Sequence, residues 1–202
     1  DQLGLVVNFN FNASDARIAG AQFEAGLDLP YNLNWDGTLL WLPVAEITDS
    51  EPIADSRFQA DVAPEQAIPQ SIDGFRLRRT PKVSIQTSLS QKLFFDFGTA
   101  DWIVSLGYRT EQNQDLFNGV IFPEFDFEND DPLRLDDRVE GYLTVDAGAG
   151  FNPGGDENLR IEAYVQNATD QERETAIIIT QFDNTRFFTR PRTYGIRFRW
   201  RL

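Results

Sequence analysis

The chain has 202 residues, enough for one domain with a sizeable core, and sets 32 Asp and Glu against 18 Lys and Arg for a net charge of −14. Nucleic acid is therefore not an expected partner, because a phosphate backbone wants a basic surface. With no Cys and no His there is no disulfide framework, no thiolate nucleophile and no imidazole base, so an enzyme is not expected.

Helical periodicity is scarce, whereas period-2 alternation runs almost throughout. The first run sets Leu5, Val7, Phe9 and Phe11 against Val6, Asn8 and Asn10. A second sets Ala21, Phe23, Ala25, Leu27 and Leu29 against Gly20, Gln22, Glu24, Gly26 and Asp28. The third, Thr38 to Ile47, is apolar on both faces and carries Pro43. In the fourth, Val83, Ile85, Thr87 and Leu89 face away from Ser84, Gln86, Ser88 and Ser90. The fifth opposes Trp102, Val104, Leu106 and Tyr108 to Ile103, Ser105, Gly107 and Arg109. Leu143, Val145, Ala147, Ala149 and Phe151 alternate with Tyr142, Thr144, Asp146, Gly148 and Gly150 in the sixth. The seventh has Leu159, Ile161, Ala163 and Val165 against Arg160, Glu162, Tyr164 and Gln166. The eighth ends the chain, with Tyr194, Ile196, Phe198, Trp200 and Leu202 against Arg197, Arg199 and Arg201.

After a brief Asn12 to Ala16 link, short and long connections alternate. Pro30 to Gly37, Lys92 to Asp101 and Asn152 to Asn158 read as short turns; Ile47 to Thr80, Thr110 to Gly141 and Ala168 to Arg192 are long and polar. This rhythm predicts an all-β, antiparallel up-and-down transmembrane barrel of about eight strands, since such barrels pair short periplasmic turns with long outer loops. No stretch reaches the roughly 20 apolar residues of a spanning helix. The polar faces are rich in Ser, Thr, Gln, Asn and Gly, as a hydrated lumen requires, and Trp35, Trp102, Tyr108, Tyr142, Phe151, Tyr194 and Trp200 near strand ends suit interfacial girdles. The orientation places the carboxyl terminus on the periplasmic side. The absence of Met predicts either a removed leader or a piece of a longer chain.

Several stretches together resemble the carboxyl-terminal part of the barrel of a TonB-dependent outer-membrane receptor. ARIAGAQFEAGL (Ala16 to Leu27) is similar to an A-x-I-x-G-x-E strand, with Gln22-Phe23-Glu24 in altered order, and RRTPKVSIQTSL (Arg78 to Leu89) to a strand opened by P-R-x-P. EGYLTVDAGAGF (Glu140 to Phe151) resembles a Gly-Tyr strand. LRIEAYVQNATDQE (Leu159 to Glu172) resembles V-x-N-L-x-D-x-x-Y, with Ala168 for Leu and Arg173 for Tyr. RPRTYGIRFRWRL (Arg190 to Leu202) resembles the terminal G-R-P-R-T-Y-G strand, although Leu202 stands where Phe is usual. The resemblance implies a 22-stranded barrel, of which residues 1–202 form the carboxyl-terminal portion, and a plug domain and TonB box that this chain lacks. It further implies energy-coupled uptake of a scarce nutrient (iron chelate, cobalamin or glycan) in the Gram-negative outer membrane. The partners would be TonB acting through the plug, the remaining barrel strands, and membrane lipid with lipopolysaccharide. The last strand (Tyr194, Ile196, Phe198, Trp200, Leu202) would carry the insertion signal.

Two groups of residues are candidates for chemistry. Thr110 to Gly141 holds ten acidic residues against Arg134 and Arg138, and Asp126, Glu128, Asp130 and Asp131 there would be the ligands of a loosely bound Ca²⁺ or a bridge to lipopolysaccharide. No other cofactor is expected. Arg109, Asp146, Arg160, Glu162, Arg197, Arg199 and Arg201 face the lumen, where they line a substrate path or pair with one another or the plug. Two other readings remain open: a self-contained eight-stranded barrel with a structural or surface-binding role, and a secreted β-sandwich binding carbohydrate. An arginine on the lipid side costs about 2–4 kcal/mol at the midplane and far less near the interface. Exchanging Arg197 with Phe198 should therefore reduce the membrane-inserted, heat-modifiable fraction more than exchanging Arg201 with Leu202; equal effects would contradict the assignment.

Overall fold

The computed structural model describes residues 14–53, 71–116, 138–154, 158–179 and 184–201. Each alternating run from the second to the eighth forms a strand; the first, Leu5 to Phe11, lies outside the described residues. The strands are β1 (Ser14–Leu29), β2 (Leu33–Ser50), β3 (Val83–Phe95), β4 (Gly98–Arg109), β5 (Gln112–Asn113), β6 (Arg138–Val139), β7 (Tyr142–Pro153), β8 (Leu159–Gln166), β9 (Glu174–Ile179), β10 (Asn184–Phe188) and β11 (Thr193–Trp200). Seven of them form one antiparallel sheet in the order β1-β2-β3-β4-β7-β8-β11, while β5–β6 and β9–β10 are separate ribbons. No second sheet packs against the large one among the described residues, so the architecture is not the sandwich. The sheet is an open arc of barrel wall: β1 and β11 are its edges, and as both run toward the short turns, joining them directly would make a parallel pair.

Register keeps each row on one face. Ala21, Trp41 and Val83 share a row, as do Leu27, Trp35, Leu89, Val104, Ala147, Val165 and Tyr194. This apolar face is bare: Phe23, Trp41, Val104, Ile196 and Phe198 are all exposed. A patch this continuous marks contact with another apolar phase rather than with water. Tyr142 is a correction to the expected girdle. It pairs with Arg109, on the polar face.

The turns are tighter than the sequence suggests. Between Lys92 and Asp101 only Asp96 and Phe97 lie outside strand, and between Pro30 and Gly37 only Pro30–Asn32 does, with Tyr31 and Asn32 at positive φ. Alternation continues through both stretches, but Phe94, Phe95 and Phe97 crowd the one turn and disguise it. Similarly, the Asn12 to Ala16 link is already strand from Ser14. The irregular third run is explained by a bulge. Ala19 opposes Val44 and Ala21 opposes Trp41, so Gly20 faces both Leu42 and Pro43. A Cβ on Gly20 would stand 2.2 Å from the Trp41 carbonyl, and Pro43 is tolerated because the ladder is already broken there.

The long loops are not structureless. Beyond Trp41 the first one folds back along β2: Ile47 N–H donates to Phe75 O, Gly74 N–H to Ile47 O and Leu77 N–H to Ala45 O. Ile47 and Ile72 are buried there against Ile53, Phe75, Leu77 and Leu116. Arg79 N–H donates to Asn113 O of the second loop, and Glu140 of that loop pairs with Arg173 of the third at 3.3 Å. The packed core therefore sits in the loop layer, while the sheet turns its faces to two other media. Truncating Ile72 to Ala should cost about 2–5 kcal/mol locally. Hydrogen exchange should speed up around residues 45–47 and 72–77 while heat-modifiable migration of the barrel is unchanged; loss of the barrel itself would contradict the division.

Candidate functional site

On the polar face the register stacks charges near the short turns. Lys92 lies opposite Asp101, Asp101 opposite Gly150, Gly150 opposite Glu162 and Glu162 opposite Arg197. One rung on, Arg160 opposes Arg199, a like-charge pair that is unfavourable unless a carboxylate intervenes. Arg160 resolves this by lying across β7. Its Nη1 and Nη2 donate to Asp101 Oδ1 and Oδ2 at 2.7 and 2.8 Å, a bidentate fork. Its Nε donates to Glu162 Oε1 at 2.7 Å and its Nη1 also reaches Asn152 Oδ1 at 2.9 Å. The path exists because β7 has glycine at position 150, where a Cβ would stand 2.2 Å from Arg160 Nη2. Glu162 collects two more guanidinium groups, Arg197 at 3.3 Å and Arg199 at 3.7 Å. Tyr164 lies over Gly195 in the next rung, and Arg197 stands 5.6 Å from its ring centre.

Of the expected lumen group, Arg160, Glu162, Arg197 and Arg199 thus form one network. Asp101 and Asn152 complete it and were hidden by the misread turns. Both carboxylates are engaged by guanidinium, and the arginines outnumber them, so the site is a cationic wall. Arg201 lies one step farther along, its backbone N–H donating to Asn158 O at 2.9 Å.

The other two expected residues belong to the long-loop end. Arg109 stands 4.4 Å from the ring centre of Tyr142 and donates its Nη2 to Thr175 O at 3.0 Å. Its Nε is buried without a hydrogen-bond partner among the described residues. Asp146 accepts the Asn167 N–H on its Oδ1 at 2.8 Å and also lines a cavity of about 420 Å³ together with Asp101, Arg160, Glu162 and Arg197. Asn167 is the residue sequence reasoning missed. Buried and at positive φ, it donates its Nδ2 to Gln171 O at 3.1 Å and Arg190 O at 2.9 Å and accepts from Gln171 N–H and the Thr169 hydroxyl. Arg192 pairs with Asp170 at 3.1 Å. The VQNATD and RPRT stretches are therefore two halves of one latch that closes the base of the third loop. Asp126, Glu128, Asp130, Asp131 and Leu202 lie outside the described residues, and among the described ones no carboxylate cluster suits a metal ion.

The comparisons bear on the whole arc. Residues 1–168 match the family described as TonB dependent receptor-like, beta-barrel. No curated protein matches the sequence. Among solved structures, the ferric yersiniabactin uptake receptor FyuA from Yersinia pestis superposes with a TM-score of 0.66 at 19% identity, over 94% of this chain and 24% of its own. The siderophore receptor PiuA from Acinetobacter baumannii gives 0.65 at 13% identity, over 93% of this chain and 22% of its own. The chain thus spans about a quarter of the length of the solved receptors it matches.

Removing the Asn167 amide strips the latch of its buried partners, at about 1–3 kcal/mol. Asn167→Ala and Asn167→Gly should both open residues 168–192 to limited proteolysis without dissolving the sheet. If the glycine variant matches the parent, only the positive φ of that position matters.

Proposed function

The chain belongs to the TonB-dependent receptor β-barrel family, and from that premise we propose that it forms barrel wall and outer loops of an energy-coupled importer of a scarce nutrient. The observation that carries the reading is the division of the sheet between two media. Its apolar rows are exposed in register from β1 to β11, and its opposite face carries the Asp101–Arg160–Glu162 network and rows of Ser, Thr and Gly. Hydrocarbon on one side and a hydrated lumen on the other produce that pattern.

Barrels of this family are outer-membrane proteins. In this reading the short turns and the carboxyl terminus are periplasmic, the three loops form the outer mouth, and Tyr194, Ile196, Phe198, Trp200 and Leu202 carry the insertion signal. The wall around Glu162, with three arginines to one carboxylate, faces a plug domain, and TonB acts on that plug because the outer membrane has no ATP. An iron chelate leads as cargo, since the superposed proteins are a ferric yersiniabactin uptake receptor and a siderophore receptor. At the mouth, Arg109 over Tyr142 offers a cation–π pair under the third loop, suited to an anionic chelate.

Uptake of labelled iron chelates, cobalamin and oligosaccharides would be compared in cells with and without the gene. One uptake should be lost on deletion and should be abolished in the parent by a protonophore. Unchanged uptake of all three classes, with the protein still in the outer membrane, would leave the structural small barrel as the better description.

A further inference from the structure

The last strand of the sheet carries its charge beside an open edge. The lumen-facing positions of β11 are Thr193, Gly195, Arg197 and Arg199, with no carboxylate among them. On its paired side β8 offers these arginines one acid, Glu162, which lies opposite Arg197. Arg160 holds Glu162 Oε1 at 2.7 Å and Arg197 reaches Oε2 at 3.3 Å. Arg199 stops at 3.7 Å, an ion pair too long for a hydrogen bond. On its other side β11 has no neighbouring strand among the described residues.

Charge does not balance along these rungs among the described residues. They hold Lys92, Arg160, Arg197 and Arg199 against Asp101 and Glu162. Arg160 turns its fork across β7 to Asp101, away from the edge, so the surplus lies at Arg197 and Arg199. The side chains of these two are 60% and 48% exposed. One rung toward the long loops, Tyr164 lies over Gly195, so an aromatic ring and not an acid borders Arg197 on that side. Opposite charges on neighbouring strands stabilise a sheet, and like charges directly opposite destabilise it. A covering strand with neutral or basic residues here would leave four cations to two carboxylates.

We propose that the strand covering the open edge of β11 places an Asp or Glu on the lumen side opposite Arg199, which completes the network begun by Asp101, Arg160 and Glu162. Its other face is apolar and continues the exposed row of Ile196, Phe198 and Trp200. It runs antiparallel to β11, as in an up-and-down barrel, so the acid lies near its start, at the short-turn end. The ion pair acts as a register key. A slip of one residue turns the acid toward hydrocarbon, and a slip of two leaves Arg199 unmatched. This closing contact rests on the barrel-wall reading above. It differs from the plug contact assigned there to the Glu162 wall, because it lies within the sheet.

The test uses the full receptor. Phe198→p-benzoylphenylalanine exchanges one aromatic side chain for another and leaves every arginine intact, and its photo-cross-link outside β8 identifies the covering strand. That strand should carry an Asp or Glu at the lumen-facing position opposite Arg199. Arg199→Gln and the amide substitution of that acid should be coupled by about twofold to fivefold in the folded-to-unfolded ratio, the range for one cross-strand pair of opposite charge. Urea unfolding in lipid vesicles, followed by heat-modifiable migration, reads that ratio. The cross-link reports the neighbouring sequence even where the glutamine variants fail to insert. A covering strand without an acid at that position overturns the proposal, and so does an acid there that shows no coupling to Arg199. A cross-link to Leu5–Phe11, which contains no Asp or Glu, indicates the self-contained small barrel and refutes the underlying reading instead.

Discussion

Hydrocarbon offers the peptide group no hydrogen-bond partner, so every strand in it must be met by another strand on each side. That constraint explains why seven strands here pair in unbroken antiparallel order and why irregularity is confined to the long-loop end. Both register shifts of the β1–β2 hairpin, at Asp15/Ala16 and at Gly20 against Leu42 and Pro43, fall above the last β2–β3 pair, Trp41 with Val83. There β2 has left the barrel wall and entered the loop layer. Among the described residues β1 and β11 are the edges of the sheet, and in hydrocarbon each needs a further strand beside it.

Once the sheet is a boundary between two media, side-chain chemistry follows by alternation. Bulky apolar residues stay exposed on one face, and charge is confined to the other, where it must be neutralised locally. The Glu162 cluster shows how tightly. Three arginines from β8 and β11 converge on one carboxylate, and the imbalance is reduced because Gly150 lets Arg160 cross β7 to Asp101. A larger residue at position 150 would push the guanidinium off its bidentate partner and leave two carboxylates and three cations in poorer geometry.

The long loops obey different rules because water surrounds them. They bury Ile72, Val139 and Ile177, residues that a sequence scan for alternating strands passes over as loop, and pack Ile72 against Ile47 of β2. Asn167 and Asp170 then tie the end of β8 to Arg190 and Arg192 at the start of β11, so a long excursion begins and ends at one point. This gives a mechanical meaning to two motifs that the sequence presents as unrelated.

Much of this was legible in the residues alone. Alternation of Tyr194, Ile196, Phe198 and Trp200 with Arg197 and Arg199 has period 2 and needs no partner to be read, since the pleat alone sends neighbours to opposite faces. The same holds for β3, β4, β7 and β8, whose faces and order were evident from local pattern and loop rhythm. What alternation cannot carry is register across strands and contact across loops. Asp101 looked like turn until β4 was paired with β3 as far as Gly98, and Tyr142 looked like a girdle residue until it was paired with Arg109. The Asp101–Arg160 fork and the Asn167 latch join residues dozens of positions apart. Their distances are set by which strands become neighbours, a decision that belongs to the whole sheet and is written in no single segment.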